Sequence, residues 1–533
     1  ATKYEDKYLQ GTYENGEQVG GRIEYVRFFS LIAVFIMGIA CINFMNLATA
    51  RASRRFKEIG IKKVAGAKRG TLAGQYLLEA VLVALVSLAL ALIMVLLVLP
   101  IFNQITGKQL HLQLSWEFLI LLIGLAVGTG ILSGSYPALY LSGFKPIAIL
   151  KGRLNASTGE LWTRRGLVVI QYAIAAVLIV LVTVIYQQMD YIQNKNLGYN
   201  KDQVLHFYIE GKLGDVPQLE SFLTEVKRLS GVQRASAARV AMTGDTWGVG
   251  GIRWPGSTPE DYTYFQHVIA YDDLFEALDI EMATGRAYSS AFTNEDKKVI
   301  FNEAAIAFMG LEDPIGKQIT FWGQEKEIIG VVKNFHFASF HEKIAPMIIN
   351  YWPDRLSSII VKIESGQESG VLSEIEALYE SHNPGFLFDA KFLDSNFQEL
   401  YASEKRVSTL STNFAGIAIL IACLGLFGLA AFTAERRVKE IGIRKVMGAS
   451  LFNIVYMLST GFAKLVMIAV VLALPISYFL ASQWLEGFSY RIDLVWWYFV
   501  GSGLLVLLIA VLTVGGQTVR AALQNPVKNL RSE

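Results

Sequence analysis

Few side chains in this 533-residue chain stand in a pattern that could do chemistry, and the patterns that come nearest fail at a specific position. Gly310 to Gln318, GLEDPIGKQ, carries the glycines and lysine of a phosphate loop. Its second glycine comes one residue late, and Gln318 stands where a Ser or Thr hydroxyl would have to hold magnesium, so the segment is predicted to be a turn. His336 and His341 are five apart, with no HExxH and no third ligand at a suitable spacing, which predicts no metal centre. The chain has no GxSxG elbow, no Walker motif and no full dinucleotide fingerprint. Cys41 and Cys423 both fall inside long apolar runs and are expected to be buried, unpaired thiols. No catalytic, metal or nucleotide-binding residue is therefore expected.

What the sequence offers instead is a repeated docking surface. Arg54 to Ala67 reads RRFKEIGIKKVAGA and Arg436 to Ala449 reads RRVKEIGIRKVMGA, identical at eleven of fourteen positions with an offset of 382. Such self-similarity marks a duplicated structural unit. Each copy is predicted to be a short helix along a membrane surface. Phe56, Ile59, Ile61 and Val64 take the apolar places in the first copy; Val438, Ile441, Ile443 and Val446 take them in the second. Arg55, Glu58 and Lys62, matched by Arg437, Glu440 and Arg444, fall three and four apart on another face. Gly66 and Gly448 end the helices where a positive φ costs least. A basic anchor would need only charge, whereas the repeated Lys-Glu-Ile-Gly-Ile specifies a shape.

These connectors need a membrane to lie against, and the composition supplies it. The chain is 53% hydrophobic and 18% charged with mean hydropathy +0.38, beyond what one water-facing core of this size requires. Apolar runs long enough to cross the bilayer fall near residues 27 to 48, 76 to 100, 116 to 138, 166 to 186, 412 to 432, 464 to 482 and 495 to 515. Gly124, Gly128, Gly130 and Gly134, and later Gly425 and Gly428, give small-residue spacings suited to close helix packing. Glu79 and Lys464 are expected to snorkel at helix entrances. The net charge of +2 hides two opposite terms: Asp190 to Arg406 holds 32 acidic against 20 basic residues, and the remainder holds 14 against 28. Basic loops at 51 to 69, 145 to 165 and 436 to 445, with the basic C-terminal tail, alternate with poorly basic ones, which places them inside and the acidic block of about 188 to 410 outside. The polar opening residues 1 to 24 then lie outside as well, and a further span is expected ahead of them, eight in the full-length protein.

The acidic block reads as a folded α/β or α+β unit. Val216 to Leu229 and Val371 to Ser381 have helical apolar spacing; Lys297 to Asn302, Lys326 to Phe335 and Ser357 to Ile363 read as strands. Its sign and its lack of an aromatic-basic pattern exclude nucleic acid as a partner.

The repeated RRxKEIGIxKxxGA stretch, together with FNEAAIAFMGLEDPIGKQI at 301 to 319 and IIGVVKNFHFASFHEKIAP at 328 to 346, resembles the FtsX-like permease family, the membrane subunits of MacB-like and lipoprotein-release-like ABC transport systems. The duplicated form is similar to the eight-span permeases common in Bacteroidetes. The resemblance implies a polytopic α-helical membrane protein with a large periplasmic α/β domain of the MacB-like core type. It implies the end of a first periplasmic domain at 1-24, a permease module at 25-152 with its coupling helix at about 51-66, a cytoplasmic linker at 153-165, a span at 166-187, the periplasmic core domain at 188-410, and a second module at 411-533 with its coupling helix at about 434-448. ATPase coupling would fall to Arg54, Arg55, Lys57, Glu58, Ile59, Gly60, Lys63 and Gly66, and to Arg436, Arg437, Lys439, Glu440, Ile441, Gly442, Lys445 and Gly448. No cofactor would be bound by this chain; ATP and magnesium would sit on a separate ATP-binding subunit, in two copies, with a periplasmic adaptor and an outer-membrane component as further partners. The implied setting is the bacterial inner membrane with the C-terminus in the cytoplasm. The implied work is export or release of an antimicrobial compound, peptide or lipoprotein; the alternative is a non-transporting regulator of cell-wall hydrolases.

Overall fold

The computed structural model describes residues 12–14, 17–20, 23–52, 56–143, 158–239, 248–258, 263–336 and 343–523. They fall into two compact units. One takes in the chain as far as Gln188, Arg406–Trp484 and the residues from Asp493 on; the other takes in Met189–Lys405 and Leu485–Ile492.

The first unit is helical. After a short hairpin of β1 (Thr12–Glu14) and β2 (Glu17–Gly20) come α1 (Ile23–Ala52), the connector α2 (Phe56–Val64), α3 (Arg69–Thr106) and α4 (Trp116–Gly143). Helix α5 (Thr158–Asn194) leads into the second unit. Among the described residues seven helices are long and apolar enough to cross a membrane, as the hydropathy of the sequence predicts: 26–49, 69–106, 116–140, 165–194, 405–435, 451–485 and 496–520. Two of them start well before the apolar runs expected from the sequence, at Arg69 and Leu451. Glu79 and Lys464 consequently lie ten and thirteen residues into their helices rather than at the entrances. Of Gly124, Gly128, Gly130 and Gly134 in α4, Gly130 and Gly134 are the ones that permit close packing: a Cβ there would meet the Val81 backbone at 2.7 Å and the Ala80 Cβ at 2.6 Å. Gly124 and Gly128 have open space beside them. Cys41 and Cys423 are both unpaired and partly buried.

The second unit is built on a mixed sheet. Its elements are β3 (Val204–Tyr208), α6 (Val216–Val226), β4 (Val232–Arg239), β5 (Gly248–Val249), β6 (Ile252–Arg253), β7 (Phe265–Ala270), α7 (Leu274–Ala277), β8 (Met282–Gly285), β9 (Lys298–Asn302), α8 (Glu303–Met309), β10 (Gln318–Phe321), β11 (Gln324–Val332), β12 (Met347–Asn350), β13 (Ser358–Ile363), α9 (Glu368–His382), β14 (Ala390–Phe392) and α10 (Leu393–Leu400). The strand order is β14-β3-β13-β4-β7-β12-β9-β11-β10-β6, with β5 on β7 and β8 on β11. Pairs β12/β7 and β9/β11 are parallel and the remainder antiparallel. The central strands β12 and β13 are buried on both faces, which is why they read as continuous apolar runs. Helices α6 and α9 close one core through Phe222, Ile375 and Tyr379 against Phe207 and Val361. A second core gathers Leu274, Phe275, Ile300, Ile349 and Ile360, and α8 closes a third with Phe265, Phe301 and Phe321.

The chain then returns to the helical unit through α11 (Ala402–Arg436), the second connector α12 (Val438–Val446), α13 (Leu451–Leu485) and α14 (Trp496–Ala522).

Candidate coupling site

The two connectors share a buried anchor, an ion pair and a glycine cap. In α2, Ile59 is fully buried against Leu72 and Tyr76 of α3 and Ala138 of α4. In α12, Ile441 packs on Ile454 and Leu458 of α13. The 382-residue offset carries Ile59 to Ile441, Leu72 to Ile454 and Tyr76 to Leu458, so one anchor contact recurs in both copies. Gly60 and Gly442 follow on the buried side.

Other described positions of each helix are exposed. Glu58 and Lys62 form an ion pair at 2.8 Å and Glu440 and Arg444 one at 2.9 Å, each one turn apart. The cation of each pair also reaches the following helix at equivalent positions: Lys62 Nζ donates to Gln75 Oε1 at 3.3 Å, and Arg444 Nη1 lies 2.7 Å from Met457 Sδ. Beside the pair runs an apolar ridge that is exposed among the described residues. Val64 is 68% exposed, Val446 70% and Met447 81%, with Ile61 and Ile443 also exposed.

Each connector ends in the same cap. Gly66 has φ +95° and Gly448 φ +91°; Ala67 N donates to Lys62 O and Gly66 N to Lys63 O, mirrored by Ala449 N to Arg444 O and Gly448 N to Lys445 O. This is the Schellman arrangement, in which two orphan carbonyls of the last turn are satisfied by a left-handed residue. A Cβ at either glycine would meet nothing within 4 Å, so the backbone conformation alone demands glycine.

Lys63 has a structural task. Its Nζ donates to the Ser142 carbonyl at the end of α4, at 2.7 Å. Burial, and then the nearby Arg69, hold its pKa below the ordinary lysine value. Arg437 is exposed at the start of α12. Arg54 and Arg55 lie outside the described residues, as do the side chains of Lys57, Arg436 and Lys439. Lys62 and Arg444, on the polar face but not among the expected coupling residues, are the partners of Glu58 and Glu440. Their spacing of four from each glutamate was the available signal.

The remaining candidates behave as turns and core. Gly310 ends α8 at φ +62° and Gly316 turns at φ +82°, while Lys317 Nζ donates to the Glu312 carbonyl of the same turn. His341 lies outside the described residues. His336 is buried edge-on against Tyr490, ring centroids 4.8 Å apart, and burial with the nearby Lys195 lowers its pKa to about 4. Lys195 in turn sits 4.1 Å from the Tyr490 ring. Tyr490 belongs to the stretch joining α13 to α14, and that stretch is part of the sheet unit. No cluster of three or more potential metal ligands occurs among the described residues.

Fold and site together define a multi-pass helical membrane protein of two three-helix modules, each with a surface connector, and a separate mixed-sheet unit. The family model for the FtsX-like permease C-terminal domain matches residues 30–146 and 413–526, once per module. The matched domain thus occurs twice, and both matches fall in the helical unit. It is 24% identical over 246 residues to the Bacillus subtilis protein named uncharacterized ABC transporter permease YknZ, covering 44% of this chain and 61% of that one. It is 30% identical over 195 residues to the Neisseria gonorrhoeae protein named macrolide export ATP-binding/permease protein MacB, covering 34% and 30%. The chain thus spans from under a third to about three fifths of the length of these relatives. Among solved structures it is similar to the periplasmic region of MacB from Actinobacillus actinomycetemcomitans, at 17% identity and TM-score 0.28, over 39% of this chain and 97% of that one.

Proposed function

We propose that this chain is the permease component of an ABC-type export system. A separate ATP-binding subunit docks on α2 and α12, and its ATP-driven motion is passed to the sheet unit on the far side of the membrane. The observation that carries this reading is the double occurrence of one connector geometry: a buried isoleucine anchor, an outward apolar ridge beside an ion pair, and a glycine cap. Anchoring to lipid headgroups needs none of this detail. Two equivalent ATP-binding subunits require two equivalent docking surfaces.

Motion entering at the connectors meets the buried anchors first, since Ile59 and Ile441 tie each connector to the span that follows it. Within the sheet unit, Tyr490 of the α13–α14 stretch is held between Lys195 and His336. Cation–π contacts of this kind are worth about 0.5 to 2 kcal/mol, so Tyr490 works as an attachment point. The name of the MacB relative, a macrolide export protein, supports reading this chain as part of an export system.

The test is reconstitution of the chain in nanodiscs with the ATP-binding subunit that copurifies from native membranes. Docking on the connectors predicts that Glu58→Ala with Glu440→Ala inserts normally and no longer stimulates ATP hydrolysis. Full stimulation by that variant would leave the connectors as membrane anchors.

A further inference from the structure

The offset of 382 that relates the connectors also relates α1 to α11, and the two helices meet with one pair of equivalent residues, Asn43 and Gly425, in contact. On α1 the contact runs through Phe29, Ile32, Ile36, Ile39 and Asn43; on α11 it runs through Phe414, Ala418, Ile421, Gly425 and Gly428. Position by position the offset equates Ile32 with Phe414, Ile36 with Ala418, Ile39 with Ile421, Asn43 with Gly425 and Asn46 with Gly428. The spacing alternates between four and three, as in a coiled-coil seam. A residue that touches its own equivalent lies on the axis relating the two copies. Asn43 does so: a Cβ on Gly425 would stand 2.7 Å from Asn43 Oδ1 and 2.9 Å from Gln171 Nε2 of α5.

The seam is unequal where it is tightest. Copy one supplies two asparagines and copy two supplies two glycines at the matching positions. Asn43 Nδ2 donates to the Ile421 carbonyl at 3.4 Å across the gap that Gly425 leaves, while Gln171 Nε2 and Tyr172 Oη donate to the Ala422 carbonyl at 3.2 and 3.4 Å. A Cβ on Gly428 would run into the Leu47 side chain. Ile36 and the smaller Ala418 share the same apolar cluster. Close approach of this kind, with amide donors placed on a neighbouring backbone, is what holds helices together in lipid, where apolar burial alone gives no preference.

We propose that this seam makes the pairing of the two modules heterotypic: α1 accepts α11 of its own chain and rejects α1 of a second copy. Two α1 helices in the same register would bring two Asn43 amides into a space that holds one amide and a glycine. Two α11 helices would lose the Asn43 donor and leave a void between glycines. Duplication has thus been followed by complementary change at the axis, so that one chain supplies both halves of its membrane body. This holds whether or not an ATPase docks on the connectors, since it rests on the packing of α1, α5 and α11 alone.

Cysteine cross-linking of the membrane-embedded chain tests it. In a Cys41→Ala, Cys423→Ala background, Ile36→Cys with Ala418→Cys is expected to give an intramolecular cross-link, detected after cleavage at a protease site introduced between the modules. Ile36→Cys alone is expected to give no cross-linked dimer. Gly425→Asn, which makes the copies alike at the axis, is expected to abolish the intramolecular product. Dimers from Ile36→Cys alone, or absence of the intramolecular product with the native seam, would overturn the proposal. The first two variants leave Asn43 and Gly425 untouched and so remain informative even if Gly425→Asn fails to insert.

Discussion

Replacing the buried anchor of each connector separates a transmitting helix from a passive one. Ile59 is fully buried on Leu72, Tyr76 and Ala138, and Ile441 is buried on Ile454 and Leu458. Truncating a buried isoleucine to alanine costs roughly 2 to 5 kcal/mol, depending on how far the site relaxes. A nine-residue helix has essentially no stability of its own, so this loss is comparable to everything that holds the connector down. The spans are far longer and insert independently of it. With Ile59→Ala and Ile441→Ala, amide exchange in residues 56–67 and 438–449 should rise by about thirtyfold or more, since each 1.4 kcal/mol is a factor of ten. The spans should keep their protection, and stimulation of the partner ATPase should fall although neither side chain reaches the surface. Val64→Ala with Val446→Ala makes the contrasting variant: both residues are exposed, so exchange should stay unchanged while ATPase association weakens. Hydrogen exchange with mass spectrometry in nanodiscs reads both. Unchanged exchange after the isoleucine truncations, or equal exchange effects from both pairs, would refute the division into an anchoring and a docking face.

Cysteines placed at exposed Ser221 and Ser365 should react with a membrane-impermeant thiol reagent in intact spheroplasts, and cysteines at Val64 and Val446 should not; the reverse pattern would invert the proposed sidedness. In the sheet unit, burial holds His206, His267 and His336 at pKa values of about 4, with the cations Lys391 beside His206, Arg239, Lys326 and Arg355 around His267, and Lys195 beside His336 as secondary causes. Their native-state values lie below the ordinary histidine value of about 6.5, so the unfolded chain binds more protons between about pH 4 and 6.5. Stability of the sheet unit should be full above that window and fall as pH drops through it; exchange protection of β3 and β7 at pH 7 and pH 5 checks this, and His336→Phe should flatten part of the slope. Tyr490→Ala should leave ATPase association intact while reducing any nucleotide-dependent distance change measured by spin labels within the sheet unit; a wild-type change in this variant would exclude Tyr490 as an attachment point.

The spans were legible because a run such as Leu31 to Ala50 holds no charge, and hydropathy needs no tertiary information. Helix α6, helix α9 and strands β9, β11 and β13 were legible for a related reason: each buries a face or a whole strand long enough to show its period. Strands β5, β6, β8 and β14 have two to four residues, too few for alternation to register. Strand order was not legible, because neighbours such as β3 and β13 pair residues about 150 positions apart and nothing local encodes that choice. In the coupling site, the repeat exposed the connector and its glycine cap. It left open which isoleucine turns inward: Ile59 and Ile61 are equally apolar, and the choice is made by Leu72, Tyr76 and Ala138 on other helices. It also left Lys63 among the docking residues, since its bond to the Ser142 carbonyl spans 79 residues.

The central claim is that α2 and α12 both receive an ATP-binding subunit, and a photo-cross-linking side chain at Val64, Val446 and Leu387 in separate variants tests it most directly. All three positions are exposed, and Leu387 lies in the sheet unit. After irradiation in native membranes, the account predicts that the variants at 64 and 446 both capture a protein carrying nucleotide-binding motifs, identified by mass spectrometry, and that the variant at 387 does not. Capture at neither connector, or capture of that protein at 387, would contradict it.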